Sequence, residues 1–302
     1  MATIGTDEVE LGVREAPALI RYLGDDEYIT RRYVSRGAEI NTGAYFDHPM
    51  PVRDGMPIRD HFRLDLHGFM LGRHTSAVSD FNDIDEVDAV YNAEVEAAVT
   101  AITGASFVKA QGWMIRTSGD LSAHAAEKVE GYRHVGGIQP PAGEAHVDYN
   151  EITAKRVADR LYPELRPDGA GYKRYCAFSF WRTFSPGPQD WPLAVMDGRS
   201  IVGDETTSNT LFVVDEFPAG DDLVKPVVGE DQMIAATIFR LRPQHRWWYF
   251  SNMTAADVLL FKFQDSDHSV TWRCPHTAFH DTSLPGAQTR SSIEVRCMAF
   301  WE

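Results

Sequence analysis

The chain has 302 residues, of which 43% are hydrophobic and 24% are charged. These fractions are ordinary for a globular protein and exclude a disordered or fibrous chain. The formal net charge of −15 argues against nucleic acid or an anionic membrane as a partner, because phosphate binding needs clustered cations.

The first 80 residues are predicted to form short strands and turns, because their apolar runs are broken by Pro, Gly and Asp. A helix is predicted over about residues 83–103, where apolar residues recur at three- and four-residue spacing. Asp83 and Glu86 have the spacing of a capping box, and Gly104 stands where a helix should end. The apolar stripe consists of Ile84, Val87, Tyr91, Val95, Ala98 and Ile102.

A second helix is predicted from about Asn150 to Leu161, ended by Pro163. The rest of the chain is rich in aromatic and β-branched runs separated by turn residues. The predicted strands cover residues 175–184, 209–214, 233–241, 246–250, 269–273 and 291–301. This order predicts a mainly β fold with flanking helices (α+β), a helix-supported sandwich or barrel, rather than a parallel α/β sheet.

His146-Val147-Asp148 is the first candidate for chemistry. On an extended chain, residues two apart point to the same face, so the imidazole and the carboxylate project together. With a distant histidine they would form a facial triad, which leaves three coordination positions of iron free for a bidentate keto acid and oxygen. The triplet alone could arise by chance.

The third ligand must come from elsewhere, and two histidines near the C-terminus compete for the role. His276 directly follows a strand-like run and Pro275, whereas His280 begins a polar loop. His276 is the preferred candidate and His280 the rival. A lone histidine at either position could equally be a satisfied structural residue.

Arg290 and Ser292 open the last predicted strand, whose alternation places Glu294 and Arg296 on the same face. A planar guanidinium next to a hydroxyl suits the distal carboxylate of 2-oxoglutarate. His-x-Asp, a distant His and Arg-x-Ser in this order predict an Fe(II) and 2-oxoglutarate site. The alternative for Arg290 is a structural ion pair with Glu294.

Two aromatic and arginine patches could line a substrate pocket. Trp113 and Arg116 precede the metal triplet, and Trp181 and Arg182 lie on the first strand after it. Such side chains suit a partly apolar substrate with a polar anchor. The alternative is that these aromatic residues only fill the core.

The remaining histidines show no ligand spacing and are predicted to be surface or structural residues: His48, His61, His67, His74, His124, His134, His245 and His268. Cys176, Cys274 and Cys297 are few and widely spaced, as is typical of a reducing compartment. The acidic N-terminal stretch lacks the pattern of a secretory signal, and no run approaches the length of a membrane span. A cytoplasmic protein is therefore expected.

Long motifs spread over most of the chain resemble the hydroxylase/desaturase family of fungal and bacterial secondary metabolism that includes gibberellin desaturase, AsaB and CmcJ. The motifs are GFMLGRHTSAVSDFND (68–83), YNAEVEAAVTAITGA (91–105), HVDY (146–149), FWRTF (180–184), WPLAVMDGRS (191–200), RWWYFSNMTAADVLLFKFQDSD (246–267), PHTAF (275–279) and TRSSIEVRCMAFW (289–301).

The resemblance implies a double-stranded β-helix (jelly-roll) core and dependence on Fe(II), 2-oxoglutarate and O2. It matches HVDY and PHTAF to the iron ligands, and so favours His276 over His280. It makes Arg290 the best candidate for binding the co-substrate, with Arg296 as a second basic residue in that motif. One catalytic domain is expected, with an N-terminal elaboration over about residues 1–110 and the jelly roll over about 111–302.

The expected reaction is oxidation of a small secondary metabolite by hydrogen-atom abstraction. It could end in hydroxylation, desaturation, cyclisation, rearrangement or endoperoxidation. Two other functions stay open at this stage: a non-catalytic accessory subunit of a biosynthetic complex and a hydrolytic cupin-like metalloenzyme. A homodimer is a further expectation.

Overall fold

The computed structural model describes residues 7–26, 29–35, 38–119, 138–203 and 205–302. Within these ranges the chain is mainly β, with sixteen strands and three α-helices. The strands are β1 (Glu15–Leu23), β2 (Thr30–Ser35), β3 (Ala38–Asn41), β4 (Tyr45–Asp54), β5 (Phe69–Arg73), β6 (Phe107–Thr117), β7 (Ile138–Gln139), β8 (His146–Val147), β9 (Arg174–Thr183), β10 (Leu193–Met196), β11 (Thr206–Val213), β12 (Ala235–Phe239), β13 (Trp247–Tyr249), β14 (Asp257–Asp265), β15 (His276–Ala278) and β16 (Ser291–Trp301).

The helices are α1 (Leu64–His67), α2 (Ile84–Thr103) and α3 (Glu151–Leu165). Short 3-10 turns cover Glu8–Glu10, Met56–His61, Gly198–Ser200, Gly220–Val224 and Glu230–Gln232.

The strands form two sheets. The larger sheet has the order β1-β4-β13-β10-β15-β8-β12-β11-β2-β3, and the smaller has the order β5-β14-β9-β16-β6-β7. Aromatic and aliphatic side chains from both sheets share one buried cluster, so the sheets pack face to face. This is the mainly β architecture with flanking helices that the sequence predicts.

Helix α2 closes the outer face of the smaller sheet. Val87, Tyr91 and Val95 are fully buried and pack in a second cluster with residues of β6, β9 and β16. The smaller sheet is therefore buried on both faces, and the parity of a residue along each strand decides whether it faces α2 or the larger sheet.

The ends of α2 form as predicted, with one difference. The Asp83 carboxylate accepts hydrogen bonds from the backbone N–H groups of Asp85 and Glu86, and Gly104 takes a positive φ of 66°. The Glu86 carboxylate accepts from Ser79 and Asp80 instead of returning to Asp83, so only half of the capping box forms.

Several strand and helix predictions differ from the structure, which also contains the unpredicted short strands β10 and β15. Helix α3 continues to Leu165 and contains Pro163 in its last turn. Residues 269–273 form no strand, because they belong to a return loop in which Asp265 donates its backbone N–H to the Trp272 carbonyl. Strand β14 was missed, since all nine of its residues are buried and its apolar residues do not alternate with exposed polar ones.

Candidate active site

Two short strands of the larger sheet bring the candidate metal ligands together. His146 opens β8, His276 opens β15, and the two residues lie directly opposite each other in the antiparallel pair. Their ring centroids are 4.4 Å apart. Asp148 follows β8, with Oδ1 3.2 Å from His146 Nε2. One nitrogen of each histidine and a carboxylate oxygen all lie within 4.8 Å of one another.

Backbone carbonyls orient both imidazoles for metal binding. His146 Nδ1 lies 2.7 Å from the Glu144 carbonyl oxygen, and His276 Nδ1 lies 3.3 Å from that of Cys274. A nitrogen that faces a carbonyl must carry the proton, so Nε2 is the nitrogen of each ring that can bind a metal. Although burial opposes it, Asp148, 3.2 Å from His146 Nε2, raises the pKa of His146, so a metal would replace the proton of that nitrogen. An imidazole that donates its other N–H to a carbonyl is the usual state of a metal-bound histidine.

The electrostatics also suit a divalent cation. Burial, reinforced by the neighbouring His146, lowers the pKa of His276 to about 3, so its imidazole is neutral at physiological pH. Burial alone would raise the pKa of Asp148, but Arg296 and His146 outweigh it and keep that pKa well below its usual range. Two imidazoles and one ionised carboxylate form the ligand set of non-haem Fe(II) oxygenases, so these residues fit iron.

His280, the rival ligand, lies apart from this cluster. Its ring is exposed and stacks on Trp191, with centroids 5.0 Å apart and an interplanar angle of 7°. The structure therefore brings His276, and not His280, next to His146 and Asp148.

The guanidinium of Arg290 is buried and forms no salt bridge within the residues that the structure describes. Its exposed fraction is 1%, and its Nε has no hydrogen-bond partner in the described structure. Its backbone N–H donates to Ser118 Oγ and Asp190 Oδ1. Burial and the nearby Arg116 lower the pKa of its guanidinium to about 9. An unpaired buried charge is costly, so this position is suited to an anionic ligand.

Arg296 has a different role in the structure. Its guanidinium forms ion pairs with the second oxygen of Asp148 at 2.9 Å and with Glu294 at 3.0 Å. The partner of Glu294 is thus Arg296, and the structural ion pair considered for Arg290 does not form in the described structure.

The Ser292 hydroxyl does not reach the cavity. It is 1% exposed and makes a long bond of 3.4 Å to the backbone carbonyl of Arg116. A third hydrogen bond from this side chain to a co-substrate is therefore not supported by the geometry.

A small cavity of about 20 Å³ lies between the two sheets at the metal cluster. It is lined by Arg116, Ala142, His146, Asp148, Trp181, Leu193, Phe261, His276, Thr277, Ala278, Arg290 and Glu294. The lining combines polar and charged side chains from both sheets with the apolar side chains of Trp181, Leu193 and Phe261, a mixture found in small-molecule sites.

The four predicted substrate residues divide between the two faces of the smaller sheet. Arg116 and Trp181 line the cavity. Trp113 lies on the opposite face, where its Nε1 donates to Asp88 of α2 at 2.5 Å. It is three positions from Arg116, an odd number, so the two side chains point in opposite directions along β6.

Arg182 also lies on the face that α2 covers, because it directly follows Trp181 along β9. Its guanidinium donates to the backbone carbonyls of His74 and Ala255 and to His74 Nδ1. Neither Trp113 nor Arg182 therefore contacts the cavity, and neither is retained as a substrate residue.

Other cavity residues were not identified from the sequence. Leu193 on β10, Phe261 on β14 and Thr277 on β15 come from separate strands. The PHTAF motif already contains Thr277, but Leu193 and Phe261 carry no local signal, since apolar strand residues fill every part of this core.

A second group of histidines and acids lies away from this cavity. Asp7, Glu10, His61 and His67 place one ligand atom each within 4.8 Å. His67 Nδ1 accepts a hydrogen bond from the Arg63 backbone N–H, so in the neutral ring Nε2 carries the proton and is not a metal ligand. This agrees with the structural role predicted for these histidines. His124 and His134 lie outside the described residues.

Comparison with known proteins identifies the family. A model described as "Oxidoreductase/YMDC permease-like domain" matches residues 21–300. The chain belongs to this oxidoreductase family.

Within the described residues, no helix is long and apolar enough to cross a membrane.

Two named relatives are similar to this chain over most of their own length. Hydroxylase/desaturase CTB9 of Cercospora beticola is 30% identical over 277 residues, which cover 90% of this chain and 78% of CTB9. The Fe(II)/2-oxoglutarate-dependent dioxygenase nvfI of Aspergillus novofumigatus is 30% identical over 267 residues, covering 84% and 83% of the two chains. The resemblance to the hydroxylase/desaturase family is therefore confirmed.

A solved structure supports the fold of this oxidoreductase family member. The iron and alpha-ketoglutarate-dependent endoperoxidase NvfI superposes with a TM-score of 0.74 at 25% identity, covering 95% of this chain and 98% of NvfI. The jelly-roll core predicted from the resemblance is confirmed by this similarity.

Proposed function

We propose that this chain is an Fe(II)/2-oxoglutarate-dependent dioxygenase whose iron ligands are His146, Asp148 and His276. The observation that carries the proposal is their arrangement: two oriented Nε2 atoms and one ionised carboxylate meet at a cavity that also contains an unpaired arginine. When bound with 2-oxoglutarate and oxygen, iron supplies an oxidant strong enough to take hydrogen from an unactivated C–H bond.

Arg290 is proposed to bind the distal carboxylate of 2-oxoglutarate. Its buried guanidinium has no counter-ion in the described structure, and a carboxylate would complete it with two parallel charge-assisted hydrogen bonds. Arg296 is already paired with Asp148 and Glu294. Its proposed role is to occupy the second Asp148 oxygen and keep that ligand in one orientation.

The proposed substrate is a small secondary metabolite that enters between Arg116, Trp181, Leu193 and Phe261. These residues would direct one C–H bond towards the metal and exclude water. Hydroxylation, desaturation and endoperoxidation, the activities in the names of the relatives, are all compatible with this cavity, as are cyclisation and rearrangement.

The two other functions considered from the sequence are not retained. The relatives are named as a hydroxylase/desaturase, a dioxygenase and an endoperoxidase, and these names do not fit an accessory subunit. A hydrolase has no need of a buried arginine for a keto acid. The three cysteines are free and buried, which supports a reducing cytoplasmic compartment as a proposal. A homodimer also stays a proposal.

The test is an anaerobic titration of the protein with stoichiometric Fe(II) and then 2-oxoglutarate. We expect the weak visible charge-transfer band of bidentate keto-acid binding in the wild type and in His280→Ala, and none in His276→Ala. A folded wild-type protein that binds iron and gives no band would refute the proposed function.

A further inference from the structure

Two guanidiniums, that of buried Arg290 and that of half-buried Arg116, line the same cavity. Arg290 makes no side-chain hydrogen bond through Nε. Arg116 donates one hydrogen bond from Nη1 to the Pro140 carbonyl oxygen at 2.8 Å. This bond holds the guanidinium in the wall of the cavity. Within the described residues, neither arginine forms an ion pair.

The nearby acids are already engaged with other groups. Asp148 pairs with His146 and Arg296, and Glu294 pairs with Arg296. Asp190 Oδ1 accepts from Ser118 Oγ and from the backbone N–H of Arg290 itself. The charges of these acids act on the two arginines and favour their protonated forms, but in the described structure no protein carboxylate forms a salt bridge with either guanidinium.

The co-substrate can form a salt bridge with only one of the two guanidiniums. Of the two carboxylates of 2-oxoglutarate, one binds the metal together with the keto oxygen, and the distal one is left for an arginine. A bidentate carboxylate occupies one guanidinium fork. The second cation would then stay next to the first, and like charges at close range in a partly desolvated site repel each other.

We propose that Arg116 binds a carboxylate of the organic substrate, which makes this enzyme specific for small apolar carboxylic acids. The inference rests on the proposed function, because it assigns the distal carboxylate of 2-oxoglutarate to Arg290. The cavity supports it on two further points. The neighbouring walls are apolar at Trp181, Leu193 and Phe261, and Arg116 is anchored by a backbone carbonyl, which leaves its other N–H groups for a ligand.

The substrate orientation follows from the position of Arg116. It lies on β6 in the smaller sheet, whereas His146 and His276 lie on β8 and β15 in the larger one. A carboxylate bound to Arg116 would therefore hold the apolar body of the substrate across the gap between the sheets, in front of the metal cluster.

The experiment uses the anaerobic protein with Fe(II) and saturating 2-oxoglutarate. Three carboxylate probes, namely benzoate, cyclohexanecarboxylate and adamantane-1-carboxylate, are each compared with the isosteric carboxamide by calorimetric titration. The variants are Arg116→Gln, Arg116→Lys and Arg290→Gln, and the affinity for 2-oxoglutarate is measured in each from the charge-transfer band.

We expect at least one carboxylate to bind the wild type at least tenfold more tightly than its carboxamide. Arg116→Gln should remove this preference and change the affinity for 2-oxoglutarate less than threefold, whereas Arg116→Lys should retain part of it. Arg290→Gln should show the opposite pattern, with weakened 2-oxoglutarate binding.

Two results would overturn the inference. One is the absence of any carboxylate preference in the wild type across all three pairs. The other is an equal loss of 2-oxoglutarate affinity in Arg116→Gln and Arg290→Gln, which would mean that both arginines bind the co-substrate. A wild-type charge-transfer band together with either result leaves the proposed function standing, while its absence refutes that function itself.

Discussion

Replacing Arg290 with leucine should make the ligand-free protein more stable and abolish its response to 2-oxoglutarate. Most substitutions of a buried residue destabilise a protein. Here the opposite is expected, because the wild-type guanidinium is 1% exposed and has no counter-ion in the described structure until the co-substrate binds.

The magnitude follows from the pKa of Arg290. Burial and Arg116 lower it from its ordinary value of 12.5 to about 9, which corresponds to about 5 kcal/mol at 1.36 kcal/mol per pH unit. Arginine keeps its proton at neutral pH, so the folded protein carries much of this cost. Leucine leaves a cavity that costs roughly 2 kcal/mol. The net expectation is a gain of about 1–3 kcal/mol, or about 2–6 °C in Tm.

The stabilisation of the protein by 2-oxoglutarate should be smaller in Arg290→Leu than in the wild type. At a 2-oxoglutarate concentration of about 100 times its Kd, ligand binding raises the free energy of unfolding of the wild type by about 2.7 kcal/mol. In Arg290→Leu the distal carboxylate would be buried without a partner, which costs about 2 kcal/mol or more and weakens binding at least about 30-fold. Thermal unfolding with Mn(II), with and without 2-oxoglutarate, measures both effects.

Arg182→Leu is the matched control. Arg182 is also buried, but its guanidinium contacts His74 and Ala255 on the other face of the smaller sheet. This variant should have a lower Tm than the wild type, and 2-oxoglutarate should raise its Tm by as much as it raises that of the wild type. A ligand-free Arg290→Leu protein that is less stable than wild type, and still shifts with 2-oxoglutarate, would refute the reasoning.

The remaining predictions concern the metal ligands and the outer face of the smaller sheet. Arg296→Leu should weaken Fe(II) binding about 10–100-fold, measured by equilibrium dialysis, and leave the 2-oxoglutarate affinity of metal-loaded protein largely intact; the reverse would exchange its role with that of Arg290. Because Arg296 lowers the pKa of Asp148, the wild-type carboxylate stays ionised on acidification, and metal release from the variant should begin at higher pH. His276→Ala should lose stoichiometric iron and His280→Ala should keep it, as judged by metal analysis after gel filtration. Trp113→Phe should cost about 1 kcal/mol in urea unfolding through its lost hydrogen bond, with unchanged 2-oxoglutarate binding; a selective loss of that binding would return Trp113 to the site.

Local sequence signals predicted the elements that depend on neighbours in the chain. Helix α2 was found because its apolar stripe, its Asp83 cap and its terminal glycine act within a few residues of one another. Strand β14 was missed because it is covered on both faces, and its buried Lys262 is satisfied by distant Asp65 and nearby Asp265. No alternation marks such a strand, so only its neighbours define it.

The iron site also combines features that local sequence predicts with features that only the tertiary structure decides. The spacing of His146 and Asp148 was sufficient to place both side chains on one side of an extended chain, because strand alternation is local. Parity alone could also have separated Arg116 from Trp113, had it been applied to that strand.

The pairing of His276 with His146 across β15 and β8 joins residues 130 positions apart along the chain, and only the assembled sheet decides it. The same is true of the two arginines in the last strand. The Arg296 guanidinium forms an ion pair with Asp148, while the Arg290 guanidinium forms none in the described structure. This difference in tertiary contacts distinguishes the residue that orients a ligand from the residue left free for a co-substrate.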